Sequence, residues 1–283
     1  MTNARISVAA AEDAHVLEAV CEAAARHIAD FVLFGDLKRI KEIAALHQLD
    51  ISSFEIIHAP DQGAACRGAV ELVASGRATA LMKGLVDTSV IMKAALDRET
   101  GMRSERKLSH LAVFEVPAYH KLLFVTDAAL NIAPDLETKG EIIQNAVYAV
   151  RNLGIDQPKV ALLAAKEKVD EKMPVTLEYA ELVKQAQVGL MPDCILDGPL
   201  ALDNAVSKAS AEIKGISSPV AGDADILVCP DIEAGNILYK ALVFLADSKN
   251  GGVVVGAKGP IILTSRADSS ESKLISIALG VLF

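Results

Sequence analysis

Four stretches of this 283-residue chain set hydroxyls, cations or carboxylates where an apolar run meets a helical pattern. The first is "GPIILTSRADSSESKL". Ile261 to Leu263 reads as a short buried strand, Thr264, Ser265, Arg266 and Asp268 follow at once, and an amphipathic tail begins at Glu271. A guanidinium binds phosphate through two parallel hydrogen bonds. A serine beside it can donate one more to an oxyanion or a thiolate. Asp268-x-x-Glu271 has the spacing of a capping box, with Asp in place of Ser or Thr, so those two residues are accounted for as a helix start. Ser265 and Arg266 precede that cap and are left for chemistry.

The second stretch is "LMKGLVDTSVIMKAAL". Lys83 ends a strand, Gly84 permits close backbone approach, and Thr88 or Ser89 starts a helix. Free N–H groups at a helix N-terminus, hydroxyls and one lysine make an anion site. Its plain alternative is an ordinary cap with an exposed lysine, and the glycine-rich run of a Walker A loop is missing. The third, "LLFVTDAALNIAPD", brings Asp127 and Asn131 off a strand, where Asx side chains can also simply satisfy a turn. The fourth, "ILVCPDIEAGNILYKAL", places Asp231 at a strand end and Asn236 early in the following helix. Cys229 has no histidine near it in sequence and reads as a buried strand-end thiol rather than a nucleophile.

Strands and helices must alternate to hold these joints. "RISVAAA", "ADFVLFGD", "FEIIHAP" and "ATALMKG" are strand candidates separated by helical patterns. Their continuous apolar runs suit a parallel sheet covered on both faces. After Leu96 the polar "DRETGMRSERK" reads as a crossing between domains. "HLAVFEV" and "HKLLFVTD", split by Pro117, read as an antiparallel pair. Alternation then resumes to the C-terminal strands. The expected fold is α/β, a two-lobed parallel or mixed sheet. In open α/β sheets ligands sit outside the carboxyl ends of the strands, where all four joints fall.

Hydrophobic residues make up 52% and charged residues 23%, so a large core forms and disorder is excluded. A net charge of −9 argues against nucleic acid or an anionic membrane as partner. Aromatics are only 4%, with no Trp, too few for base-stacking platforms. Cys21, Cys66, Cys194 and Cys229 lack metal or redox spacing, and the six histidines are scattered. No metal site and no signal or membrane segment is expected, and a cytoplasmic location follows.

In this order, "ALMKGLVDTSVIMKAAL", "DGPLALDNAV", "SPVAGDADILVCPDIEAGNILYKAL" and "GPIILTSRADSSESK" resemble the phosphate acetyl/butyryltransferase family, on the butyryltransferase side. The resemblance implies transfer of a short acyl group between CoA and phosphate, with acyl-CoA and inorganic phosphate as substrates and no cofactor required. It implies an isocitrate dehydrogenase-like architecture: residues 1–103 and 251–283 form one α/β domain, 104–250 a second one inserted in it, and the active site lies in the cleft between them. It implies a homodimer. It puts Ser265 and Arg266 at transition-state and phosphate contacts, with Lys83, Thr88, Ser89, Asn131, Asp231 and Asn236 binding substrate. The family's base towards the thiol falls on Ser272, which cannot serve, leaving Asp268 or Glu271. A cysteine near the family's site falls on Ala128 and is absent. Phosphate acetyltransferase, a metal- or NAD-dependent dehydrogenase of similar two-lobed fold, and a non-catalytic CoA-binding regulator are the alternatives.

Overall fold

The computed structural model describes residues 4–263 and 268–283. Compact packing divides the chain into unit 1, Met1–Arg106 with Gly251–Phe283, and unit 2, Lys107–Asn250.

Unit 1 begins with β1 (Arg5–Ala9), α1 (Ala14–Ala25), β2 (Asp30–Gly35), α2 (Leu37–Leu46), β3 (Glu55–His58), α3 (Gln62–Ala74), β4 (Ala80–Lys83) and α4 (Thr88–Ala95). Aspartates start these helices as short acceptors for orphan N–H groups. Asp13 accepts from Val16 N, Asp36 from Lys38 N and Arg39 N, and Asp61 from Ala64 N. The strand order β3-β2-β1-β4 is parallel throughout. Every residue of β4 is buried, and so is every residue of β2 after Asp30, which an unbroken apolar run requires of a sheet covered on both faces.

Unit 2 holds β5 (Ser109–Glu115), β6 (Leu123–Thr126), α5 (Leu136–Asn152), β7 (Lys159–Leu163), α6 (Pro174–Gln187), β8 (Ile195–Leu200), α7 (Leu202–Val206), α8 (Lys208–Ile213), β9 (Ile226–Val228) and α9 (Ile232–Phe244). Its strand order is β5-β6-β9-β7-β8. The first pair is antiparallel, as the close spacing around Pro117 predicts, and the others are parallel. Phe114, Leu123, Val125, Leu163, Leu200 and Leu227 lead its core. Helix α9 is weakly covered: only Gly235 is fully buried, while Ile237, Phe244 and the following Leu245 are exposed.

Strand β10 (Lys249–Val255) returns the chain to unit 1, and β11 (Ile261–Ile262) and α10 (Ser270–Leu282) complete it. β11 lies antiparallel to β10 and parallel to β4. The architecture is therefore mixed α/β with a mostly parallel arrangement of strands. One sequence expectation is corrected here. The N-cap of α10 is Ser269, whose Oγ accepts from Ser272 N at 3.0 Å, and not Asp268. The stretch Asp268-Ser269-Ser270 offers successive capping side chains, and the helix starts one residue later than the Asp268–Glu271 spacing implies. The buried ammonium of Lys273 donates to the Asp268 backbone carbonyl at 2.5 Å, which fixes that turn.

Candidate active site

In unit 1 the site is built on the carboxyl end of β4. Lys83 is buried, and its Nζ donates to the carbonyls of Gly84 at 3.4 Å and Val86 at 3.2 Å. The ammonium thus lies over the loop that leads into α4. Gly84 is required sterically. A Cβ there would stand 2.1 Å from Ala10 O, because the chain runs hard against the end of β1. Asp87 occupies the N-cap position of α4 but makes no side-chain capping bond. Thr88 and Ser89, the first two helical residues, are exposed. A buried cation, a helix N-terminus without a side-chain cap and two exposed hydroxyls form a donor-rich surface suited to an anion.

Two cations that motif reading passed over join this surface. Arg67 of α3 and Lys93 of α4 line, with Ser89, Thr100 and Cys66, a cavity of about 450 Å³. Burial pushes the Cys66 thiol up to about 11, against the pull of Arg67 and Lys83. The thiol therefore stays neutral. No sequence motif marks Arg67 or Lys93; only the packing of α3 against α4 brings them beside Ser89.

β11 enters the same neighbourhood by register. Ile262 pairs with Met82, one residue before Lys83, so β11 and β4 end side by side. Asp268 and Ser272 flank the new cap, and Ser269 Oγ also donates to Ser272 Oγ at 3.0 Å. Ser265 and Arg266 lie outside the described residues.

In unit 2 the structure gathers Asn131, Asp231 and Asn236 around a fourth residue, Asp127. The Asp127 carboxylate is buried at the end of β6 and takes four donors. Oδ1 accepts from Ala129 N at 2.8 Å and Leu130 N at 2.9 Å, an Asx turn. Oδ2 accepts from His110 N at 3.1 Å and Asn131 Nδ2 at 2.6 Å. Four such hydrogen bonds offset the cost of burying the polar group. Asn131 Nδ2 also donates to Leu108 O at 2.9 Å, so both of its N–H bonds are committed.

Asp231 caps α9 through Ala234 N at 2.8 Å. Ile232 N donates to Ile132 O at 3.0 Å, which seats the 127–132 loop on the start of α9. A Cβ at Gly235 would stand 2.2 Å from Asp127 O. That close approach lets Asn236 Nδ2 reach Ala128 O at 3.1 Å. Burial, together with Asp231 and Asp127, pushes the Cys229 thiol up to about 12, so it is no thiolate at neutral pH. A separate cavity of about 840 Å³ lies at the opposite, amino ends of β6 and β7, against Leu123, Lys159, Leu238 and Leu242, and holds none of the expected site residues. Among the described residues no cluster of three or more His, Cys, Asp or Glu has the arrangement of a metal site. No helix among them is long and apolar enough to cross a membrane.

These positions lie in a stretch that a family model recognises. The model described as "Phosphate acetyl/butaryl transferase" matches residues 64–281, and the chain belongs to that family. The phosphate butyryltransferase of Clostridium acetobutylicum is 46% identical over 98% of this chain and 92% of its own length. The phosphate acetyltransferase of Thermotoga maritima is 45% identical over 99% of this chain and 95% of its own. Among solved structures, a branched-chain phosphotransacylase from Enterococcus faecalis superposes with a TM-score of 0.87 at 36% identity, covering 99% of both chains. A 4-hydroxythreonine-4-phosphate dehydrogenase from Burkholderia phymatum, at 16% identity and a TM-score of 0.62 over 100% of this chain and 98% of its own, shares the fold alone.

Proposed function

We propose that the protein transfers a short acyl group reversibly between CoA and inorganic phosphate. The observation that carries this reading is the 46% identity to a phosphate butyryltransferase over nearly the whole of both chains. A phosphate oxygen attacks the thioester carbon, the C–S bond breaks, and the CoA thiolate leaves and takes a proton. Two substrates bound together need no covalent enzyme intermediate.

The roles follow from the chemistry of each group. Lys83 and the start of α4 at Thr88 and Ser89 neutralise phosphate. Arg266 adds a bidentate contact, and Ser265 donates to the developing oxyanion or to the leaving sulfur. Fixed donors of that kind are worth roughly 3–4 kcal/mol each when removed. In the reverse direction Asp268 takes the thiol proton. The cap role falls to Ser269, which releases both Asp268 and Glu271 from it, and Glu271 is the second candidate. Asn131, Asp231 and Asn236 bind the second substrate.

Butyryl-CoA is the favoured substrate, and acetyl-CoA is the second reading, since a phosphate acetyltransferase is 45% identical over 99% of this chain. Neither a metal nor a redox cofactor is needed. The protein is cytoplasmic and an isocitrate dehydrogenase-like homodimer, with the exposed Ile237, Phe244 and Leu245 of the α9 region as the contact between copies.

The test is CoA release from acetyl-, propionyl-, butyryl- and longer acyl-CoAs, with and without phosphate and EDTA. Release should require phosphate, survive EDTA and peak at butyryl-CoA. Arg266→Ala should lower turnover on the order of 100-fold. Release that ignores phosphate, or that stops in EDTA, overturns the reading.

A further inference from the structure

The side chains gathered in unit 2 have an unusual polarity. Both N–H bonds of Asn131 are spent, one on Leu108 O and one on the Asp127 carboxylate. Turning the amide over would set its oxygen against those two oxygens, so the orientation is fixed. Asn131 Oδ1 therefore faces away from them. It accepts no hydrogen bond among the described residues and is not a buried orphan. Asp231 uses Oδ1 on Ala234 N, and Asn236 uses an N–H on Ala128 O. The capacity that remains is an amide oxygen, a carboxylate oxygen, and a second amide oxygen with one N–H. Behind them stands the buried carboxyl group of Asp127.

A surface of acceptors backed by carboxylates repels the oxyanions of phosphate and of an acyl phosphate. It attracts neutral N–H donors. On the reading above, the substrate that carries such donors is the acyl-CoA, whose pantetheine arm has two amide N–H groups on the thiol side of the nucleotide. We infer that unit 2 recognises the pantetheine amides of the thioester substrate, with Asn131 Oδ1 as acceptor and Asp127 as the positioning residue that holds the Asn131 amide in its orientation. Asn131 is then specific for the CoA arm and takes no part in binding phosphate.

The inference rests on the acyl-transfer reading, and the experiment separates the two. The probes are S-butyryl-N-acetylcysteamine, which keeps one pantetheine-like amide, and the butyryl thioester of 2-acetoxyethanethiol, in which an ester oxygen replaces the N–H. The wild-type protein should favour the amide thioester about fivefold to tenfold in kcat/KM, the ratio one neutral hydrogen bond supplies. Asn131→Ala should abolish the preference and leave the phosphate KM within about twofold. Equal use of both thioesters by the wild type overturns the inference. So does a preference that survives in Asn131→Ala, or a phosphate KM that rises in its place. Circular dichroism checks the variant's fold; if Asn131→Ala fails to fold, the wild-type ratio decides alone. Should the wild type turn over neither thioester, calorimetric titration with CoA itself decides. Binding that weakens about fivefold to tenfold in Asn131→Ala sustains the inference while the acyl-transfer reading falls. No CoA binding by the wild type overturns both.

Discussion

The candidate site residues of unit 1 and those of unit 2, each taken by itself, differ in what they offer a ligand. Unit 1 presents donors and positive charge: the buried Lys83, the uncapped start of α4, and Arg67 and Lys93 around a neutral thiol. Unit 2 presents mainly acceptors, from Asn131, Asp231 and Asn236 over the buried Asp127. The halves also reach their polarity differently. Unit 1 uses the geometry of a strand–loop–helix joint, where the lysine and the helix N-terminus are sequence neighbours. Unit 2 uses a hydrogen-bonded clamp between a loop and the start of α9. The residues of unit 1 suit an anion and those of unit 2 a neutral amide donor, the two kinds of group that phosphate and a pantetheine arm would bring.

The strongest way to break this contrast is Asp127→Ala. It leaves the buried His110 N–H, and the N–H groups of Ala129, Leu130 and Asn131 at a partly buried turn, without their acceptor. The expected loss is about 3 kcal/mol of unfolding free energy, read from a denaturant titration. A variant as stable as wild type would mean that the acceptor half is not held by this clamp. Lys83→Met tests the other half. It keeps the length of the side chain and removes the charge, so the phosphate KM should rise about tenfold or more while the thioester KM holds. A rise confined to the thioester would reverse the assignment of the two halves.

A smaller effect distinguishes cap from base. Ser269→Ala should lose about 1 kcal/mol of stability with its cap bond to Ser272 N. Asp268→Asn should keep stability within about 0.5 kcal/mol and lose thiol-consuming activity. Equal activity for Asp268→Asn would move the base to Glu271.

The smallest effect lies at Asp223, which lines the separate cavity of unit 2. Burial raises its pKa, but hydrogen bonds from Lys159, Lys121 and His120 outweigh that and hold the carboxyl well below the usual range. A depressed pKa stabilises the fold above the unfolded value, near 4, and that stabilisation is lost as pH falls through the folded value. Asp223→Asn should therefore be less stable than wild type at neutral pH, and the gap should close below about pH 4 in pH-dependent melts. The carboxylate is 40% exposed, so the gap is modest and shrinks in salt. A gap that widens in acid would contradict the sign.

Much of the scaffold was legible in the sequence because hydrophobic period and helix starts are local. The apolar run at β2 and the antiparallel β5–β6 pair both follow from residues within a few positions of each other. Polar groups satisfied at long range were not legible. Lys139 is buried inside α5 because Glu178, on another helix, pairs with it at 2.7 Å. Asp127 and Asn131 looked like an Asx turn, which is half right. Their second function, fixing one amide against Leu108 O, depends on a neighbouring strand end. At α10 the difficulty was degeneracy, since Asp and Ser both cap well and the sequence sets them side by side.

The return of the chain to unit 1 also orders events on the ribosome. Unit 2 is one continuous segment, whereas unit 1 waits for β11, which pairs with β4, and for Pro260 just before it, whose carbonyl accepts from Leu81 N. Domains usually mature in the order they are made. Here the first segment synthesised is among the last to be finished, and during elongation β4 carries an open hydrogen-bonding edge of fully apolar Ala80, Leu81 and Met82. Such an edge is a template for pairing with another nascent chain. Translation that stalls after unit 2 should thus yield aggregation-prone intermediates that hold chaperones longer than chains released at full length.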